Sequence, residues 1–321
     1  MMENKYVVSM SPHIHEKEGI SGIMLDVIIA LVPALIAGVY YFGYRALAVV
    51  LTTIAAAVLS EYLYEKAMKK KNTVKDLSAV VTGLLLGLNL PPTIPLWMAA
   101  IGSVFAIIIV KQLYGGIGKN FMNPALVARC FMLIAWAGVM TRFAEPFGAD
   151  AISTATPLSV MKGVSEGVVP SLHDAFWGNI PGSIGETSVF AILIGFVYLL
   201  ARRIISWRVP VTYIAVFAVL TYFFGRNATG MEQLDYTLVQ ICTGGIMLGA
   251  VFMATDYTTT PTTPWGLIIF GAGCGIITFV LRKFGGYPEG TSFAILLMNI
   301  LTPQIDKLTV PKRFGEVKKN A

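Results

Sequence analysis

Long apolar stretches follow one another along most of this chain of 321 residues. A helix that crosses the hydrocarbon core of a bilayer needs about 20 mostly apolar residues. Ten stretches approach that criterion: 23–42, 45–63, 77–90, 95–112, 124–141, 187–205, 208–224, 237–254, 265–281 and 291–306. The third and the last are short, which is typical of tilted or broken helices inside a bundle. The pattern predicts an all-α integral membrane protein with about ten transmembrane helices.

Two segments in different halves of the chain resemble each other. Residues 95–116 and residues 264–286 both begin at a proline, continue with apolar residues, and end with a basic residue followed closely by two glycines. Five helices is an odd number, so a second five-helix half must be inverted relative to the first. We therefore expect two inverted five-helix repeats. Chance similarity between two glycine-rich apolar segments is the alternative explanation.

The positions of Lys and Arg predict the orientation, because basic residues concentrate in cytoplasmic loops. With the N-terminus inside, inner segments hold 17 of the 24 basic residues and outer loops hold six, including Arg282 and Lys283. We expect a multi-pass protein of the bacterial or archaeal inner membrane with both termini cytoplasmic. The predicted organisation is a cytoplasmic N-terminal segment at 1–22, a first repeat at 23–141, an external loop at 142–186, a second repeat at 187–306 and a cytoplasmic tail at 307–321.

Composition supports the membrane assignment. Hydrophobic residues make up 55% of the chain, charged residues 13%, and the mean hydropathy is +0.70, whereas soluble domains carry about 25% charged residues. The net charge of +6 lies mainly in short loops, where it sets topology, so a nucleic-acid partner is not expected. Three cysteines without a Cys-x-x-Cys pair indicate neither a disulfide framework nor a cysteine metal site.

The external loop contains a run rich in hydroxyl groups. Residues 150–158 read Asp-Ala-Ile-Ser-Thr-Ala-Thr-Pro-Leu. From the residues alone, this is a capped turn in which Ser and Thr satisfy backbone groups. A connection of about 45 residues is usually functional or disordered, and the aromatic residues in this one favour an ordered, functional loop.

The same run closely resembles a flavin-attachment motif, in which a flavin transferase esterifies FMN to a threonine hydroxyl. Further family motifs occur in the same order: Ser-Pro-His-Ile-His at 11–15, Gly-Gly-Ile-Gly-Lys-Asn-Phe-Met-Asn at 115–123, Gly-Ser-Ile-Gly-Glu at 182–186 and Phe-Met-Ala-Thr-Asp at 252–256. Over nearly its whole length the chain resembles the D subunit of Rnf-type ion-translocating electron transport complexes. The related B subunit of the sodium-pumping NADH:quinone oxidoreductase carries a longer N-terminal extension, which favours the Rnf type here.

The resemblance implies a covalent FMN. Thr156 matches the threonine that carries FMN through a phosphoester, and Asp150 and Ser153 belong to the same motif. Thr154 stands where the family motif has Gly, so it is a second hydroxyl to be tested as the acceptor.

The resemblance also implies a second, non-covalent flavin, riboflavin. Asn120 and Asn123 match family positions near it, and side-chain amides can pair with the donor and acceptor edge of an isoalloxazine ring. From the residues alone, the glycine-rich segment 115–120 is equally well explained as a flexible inner loop.

Three ionisable residues are further site candidates. Arg129 lies inside an apolar stretch, where a charge is costly and is either functional or paired with a buried carboxylate. Glu186 begins a helix, where a carboxylate is favoured, and a role beside the flavin is the alternative. Asp256 lies among threonines at a predicted helix break. The carboxylate and hydroxyl oxygens there suit a metal site that binds Na⁺; the alternative is that the same residues form a turn at the end of the helix.

The sequence thus predicts a flavin-carrying membrane subunit of a redox-driven ion pump. It would pass electrons through FMN in a complex that couples ferredoxin/NAD electron transfer to translocation of Na⁺ or H⁺. The chain has neither an iron–sulfur cysteine set nor a dinucleotide fingerprint, so it is not catalytic alone. Its expected partners are other membrane and peripheral subunits, a flavin transferase and the lipid bilayer. The alternatives are the B subunit of the quinone reductase, a solute channel or transporter without a redox role, and a cofactor-free scaffold.

Overall fold

The computed structural model describes residues 19–70, 72–148, 153–154, 156–225, 230–286 and 289–311. Helices dominate this part of the chain. The first half contains α1 (Ile20–Phe42), α2 (Tyr44–Ala67), α3 (Ser78–Leu88), α4 (Leu96–Phe105), α5 (Pro124–Ala135) and α6 (Ala137–Met140). The second half contains α9 (Val189–Ala201), α10 (Arg208–Phe224), α11 (Gln233–Cys242), α12 (Ile246–Leu248), α13 (Pro264–Phe284) and α14 (Thr291–Thr309).

The connection between the halves contains short elements. It includes the helices α7 (Pro157–Met161) and α8 (Leu172–Trp177) and the two-residue strands β1 (Phe143–Ala144) and β2 (Ser153–Thr154). The strands pair antiparallel, with Phe143 opposite Thr154. This strand pair is a small addition to the all-α prediction.

The apolar stretches predicted from the sequence all coincide with helices, but they differ in length. Within the described residues, α1, α2 and α13 are by themselves long and apolar enough to cross a membrane. A fourth candidate span is the helix pair Gln233–Cys242 and Ile246–Met253, which is bent by 60°. Several others are apolar helices of 10–17 residues. The helices therefore indicate a membrane protein, without establishing ten crossings.

Glycines bring the helices close together. A Cβ atom added at Gly195 of α9 would collide with the carbonyl oxygen of Ala30 in α1. Added at Gly275 of α13, it would lie 2.8 Å from the carbonyl oxygen of Tyr213 in α10. Neither approach leaves room for a side chain, and small residues are the usual means of close helix packing in membranes.

Each half of the chain has one helix that packs against two others. In the first half, α2 packs against α3 and α4; in the second half, α10 packs against α11 and α13. The contact between α1 and α9 joins the halves. Two helices also continue as π-helical turns, α4 through Ala106–Gln112 and α12 through Gly249–Met253.

The break between α11 and α12 is stabilised by a buried arginine. Gly244 and Gly245 adopt φ angles of 70° and 71° there, a conformation that favours glycine. Arg282 donates hydrogen bonds to the carbonyl oxygens of Gln240, Thr243 and Gly244 at 2.6, 2.9 and 3.1 Å. The structure thus places Arg282 in the last turn of α13, and not in the outer loop expected from the sequence, because α13 extends to Phe284.

Candidate functional site

A buried ion cluster joins the two halves of the chain. Arg129, on α5, donates from Nη1 to Ser292 Oγ at 2.7 Å and from Nη2 to Glu289 Oε2 at 2.5 Å. The same Nη2 lies 3.8 Å from Glu186 Oε2. Arg129 is therefore paired with two carboxylates that lie far from it along the chain, as expected of a cation in an apolar surrounding.

Glu186 is the less well satisfied of the two carboxylates. Its Oε1 accepts a hydrogen bond from the backbone N–H of Ser183 at 3.3 Å. Its Oε2 is buried without a hydrogen-bond partner. Because a buried polar atom left without a partner costs free energy, this oxygen is a candidate ligand for a group from outside the chain.

Beside this cluster lies a cavity of about 460 Å³, here called the Thr156 cavity. Arg129, Thr156, Ser183, Glu289 and Ser292 supply polar lining, and Leu133, Met140, Phe143 and Phe293 supply apolar lining. Pockets of roughly 300–1,000 Å³ with apolar walls and a few polar groups are typical of sites for small molecules and cofactors. The Thr156 cavity has the size and the lining of such a site.

Thr156 lies at the beginning of α7. Its Oγ1 accepts a hydrogen bond from the backbone N–H of Ser159 at 3.3 Å, so it acts as the N-cap. The residue is only 9% exposed, because its side chain faces the cavity and not the surface. Asp150 lies outside the described residues, and of Ser153 and Thr154 only the backbone of β2 is described.

The other predicted site residues surround a second, smaller pocket of about 90 Å³, here called the Asp256 pocket. Asn120, Asn123 and Asp256 all line it. Asn120 Nδ2 donates to Thr258 Oγ1 at 3.0 Å, and Thr258 Oγ1 in turn donates to Asp256 Oδ2 at 3.1 Å. The structure therefore joins the residues predicted for the second flavin with the residue predicted for the ion.

The polar groups of the Asp256 pocket are engaged with the protein itself. Asn123 caps α5, with its Oδ1 accepting from the backbone N–H groups of Ala125 and Leu126 at 3.1 and 3.3 Å. Asp256 also accepts from Thr259 Oγ1 at 3.3 Å. With these groups engaged and a volume well below that of ordinary cofactor sites, the pocket as described does not fit a flavin.

Sequence reasoning missed Glu289, Ser292 and Ser183. Glu289 and Ser292 lie 160 and 163 positions from Arg129 along the chain, so no local spacing links them to it. The sequence offered only a weak signal. A buried arginine such as Arg129 requires a buried carboxylate as its partner, but the chain has 18 Asp and Glu residues among which the sequence does not choose.

The fold and this site define a helical membrane protein in which a buried arginine–carboxylate cluster adjoins a cavity of cofactor size. The chain belongs to the NQR2, RnfD, RnfE family, whose model matches residues 7–315. The resemblance noted from the sequence motifs is thereby confirmed.

Similar proteins cover all or nearly all of the chain. It is 47% identical over 325 residues to the D subunit of the Na⁺-translocating ferredoxin:NAD⁺ oxidoreductase complex of Acetobacterium woodii, covering 100% of this chain and 99% of that protein. It is 44% identical to the D subunit of the proton-translocating ferredoxin:NAD⁺ oxidoreductase complex of Clostridium ljungdahlii, covering 98% and 97%. It is 36% identical to the D subunit of the ion-translocating oxidoreductase complex of Halorhodospira halophila, covering 97% and 96%.

Proposed function

We propose that this chain is a flavin-carrying membrane subunit of an ion-translocating ferredoxin:NAD⁺ oxidoreductase complex. It holds FMN as a phosphoester of Thr156 and is not catalytic alone, so it works with other membrane and peripheral subunits after a flavin transferase has attached the cofactor. The observation that carries the proposal is the cavity of about 460 Å³ that Thr156 lines. The full-length similarity to subunits named for this reaction supports it.

The residues around Thr156 fit an attached flavin. Its Oγ1 acts as a hydrogen-bond acceptor in capping α7, and an ester oxygen can still accept that bond. The cavity offers apolar walls to a ring system and the Arg129 guanidinium to a negative charge. When bound, FMN would supply the redox chemistry, while the protein supplies position and electrostatics.

The coupled ion is proposed to be Na⁺ or H⁺. Two relatives with 47% and 44% identity are named for different ions, Na⁺ and protons. Membership of the family is therefore compatible with either ion. Asp256 is the residue that we proposed from the sequence for contact with Na⁺. Its carboxylate accepts hydrogen bonds from Thr258 and Thr259, an arrangement that also stabilises the turn without an ion.

Replacing Thr156 with Val tests the attachment. Val keeps approximately the shape of Thr and lacks the hydroxyl, so Thr156→Val should lose the covalent flavin completely. The measurement is flavin fluorescence of the denatured band, from a host that supplies the transferase. Thr154→Val is the matched control and should fluoresce like the parent chain.

Two results would contradict the assignment. A fluorescent Thr156→Val band with a dark Thr154→Val band would move the flavin to Thr154. Fluorescence in both single variants and in the double variant would place the attachment outside this loop. A parent chain without flavin, from a host shown to flavinylate another subunit, would favour a transporter without a redox role.

We further propose ten membrane crossings in two inverted repeats, with both termini cytoplasmic and residues 142–186 external. Val168 is 92% exposed, whereas the three cysteines are buried, so Val168→Cys introduces one reactive thiol against a low background. In intact cells an impermeant maleimide should label Val168→Cys and leave the parent chain unlabelled. Labelling that needs a permeabilised membrane would reverse the orientation.

A further inference from the structure

Three buried oxygen atoms near the Arg129 cluster lack hydrogen-bond partners. They are Glu186 Oε2, Thr187 Oγ1 and Ser183 Oγ, and their residues are 5%, 0% and 0% exposed. Ser183 contacts Glu186 through its backbone N–H, which donates to Glu186 Oε1 at 3.3 Å. Buried polar groups normally have partners, and exceptions require an explanation.

Glu186 and Thr187 also line a cavity of about 10 Å³ that adjoins the Thr156 cavity and shares Thr156 and Glu289 with it. Its other walls include Gly182, Thr243 and Gly244. A space of roughly this size holds one water molecule or one ion of similar size. Two of the three unsatisfied oxygens, those of Glu186 and Thr187, therefore belong to residues that line the small cavity, whereas Ser183 lines the Thr156 cavity.

The charges around Glu186 favour a cation over a neutral occupant. Arg129 makes its short contact with Glu289, 2.5 Å away, and lies 3.8 Å from Glu186. Arg282 is the other buried cation nearby, but within the described residues its hydrogen bonds go to oxygens of residues 240–244 and to neither carboxylate. One guanidinium, that of Arg129, thus serves two carboxylates, Glu289 and Glu186, and the negative charge in excess is unfavourable where it is buried.

The close approach of Gly245 explains how this oxygen is sheltered. A Cβ atom added at Gly245 would lie 2.8 Å from Glu186 Oε2. Only a glycine lets the break between α11 and α12 come so near to the carboxylate. The second half of the chain therefore closes over an oxygen that faces inward.

We propose that Glu186 and Thr187 form a binding site for one monovalent cation, either Na⁺ or a proton carried by the Glu186 carboxylate. Oxygen atoms are the ligands that hard cations prefer, and carboxylate and hydroxyl oxygens are the unsatisfied atoms here. A single positive charge balances Glu186, since Glu289 already pairs with Arg129. The role of this site in ion coupling rests on the proposed function. Binding of the cation can be measured at equilibrium, without turnover of the complex.

The experiment measures equilibrium binding of radioactive Na⁺ to the full chain in lipid nanodiscs. The parent chain should bind about one Na⁺ saturably. Glu186→Gln keeps the shape and removes the charge, and it should bind at least tenfold more weakly. Thr187→Val keeps the shape and removes the hydroxyl, and it should weaken binding by a smaller factor. Both variants should elute and melt like the parent chain.

Two controls separate this site from the other proposals. Asp256→Asn should retain the binding, because Asp256 lines a different pocket. The parent chain from a host that lacks the flavin transferase should retain it as well, so that failure of flavin attachment and failure of the cation site give different results.

A second measurement covers the case in which Glu186 carries a proton. If the site prefers H⁺, the parent chain should show an infrared band of a protonated carboxyl group that Glu186→Gln lacks. Two results would overturn the proposal. One is the absence of both saturable Na⁺ binding and this band, which would leave water as the occupant. The other is Na⁺ binding that Asp256→Asn abolishes and Glu186→Gln retains.

Discussion

The Thr156 cavity and the Asp256 pocket use their polar groups differently. Around the Asp256 pocket of about 90 Å³, the side chains of Asn120, Asn123 and Asp256 all hydrogen-bond to the protein. On the wall of the Thr156 cavity of about 460 Å³, the Ser183 hydroxyl is buried without a hydrogen-bond partner. Satisfied buried groups stabilise a fold, whereas unsatisfied ones next to open space indicate a ligand. The comparison favours the Thr156 cavity as the cofactor site.

The largest expected effect comes from removing the positively charged side chain of Arg129, which lines the Thr156 cavity. Arg129→Met would leave Glu289 and Glu186 buried without their partner, and breaking such a pair costs about 3–5 kcal/mol. The midpoint of thermal unfolding in detergent should therefore fall strongly. Arg202→Met is the matched control: Arg202 pairs with Asp26 at 3.0 Å, but its side chain is 50% exposed, so the loss should stay within about 1 kcal/mol. Equal losses would show that the Arg129 cluster is not effectively buried.

A substitution at the helix break gives an intermediate effect. Gly245→Ala introduces a side chain at a φ of 71°, which costs about 1–2 kcal/mol, and presses it against Glu186 Oε2. Gly163→Ala is the control, since its φ is 73° and a Cβ atom there meets nothing within 4 Å. The unfolding midpoint of Gly245→Ala should fall further than that of Gly163→Ala. Equal shifts would mean that the carboxylate moves aside without cost.

The smallest effect is expected in the Asp256 pocket. Asn123→Leu removes the N-cap of α5 and should cost about 1 kcal/mol of stability, whereas Asn123→Ser keeps an uncharged capping oxygen and should be close to the parent chain. Riboflavin in an acid extract should not differ between Asn123→Ser and the parent chain if Asn123 serves only the helix. Loss of riboflavin from a stable Asn123→Ser variant would show that Asn123 contacts a flavin.

Much of the architecture follows from the sequence. Apolar stretches are expensive to leave in water, so their positions predict the helices, and α13 and α2 lie where the pattern places them. The motifs in order along the chain also predicted the family, which the match over residues 7–315 confirms. Arg129 was recognisable as a candidate because a charge inside an apolar stretch requires compensation.

The tertiary structure alone decided which residues meet. The partner of Arg129 is Glu289, 160 positions away, and such pairing depends on how α5 and α14 pack. Arg282 looked like a loop residue because the apolar stretch ends before it, yet it donates to carbonyl oxygens of a break in another helix. The local pattern of apolar and polar residues reflects the free-energy cost of exposing each segment to water or lipid. Cavities, remote ion pairs and unsatisfied oxygens arise only when the segments pack against one another.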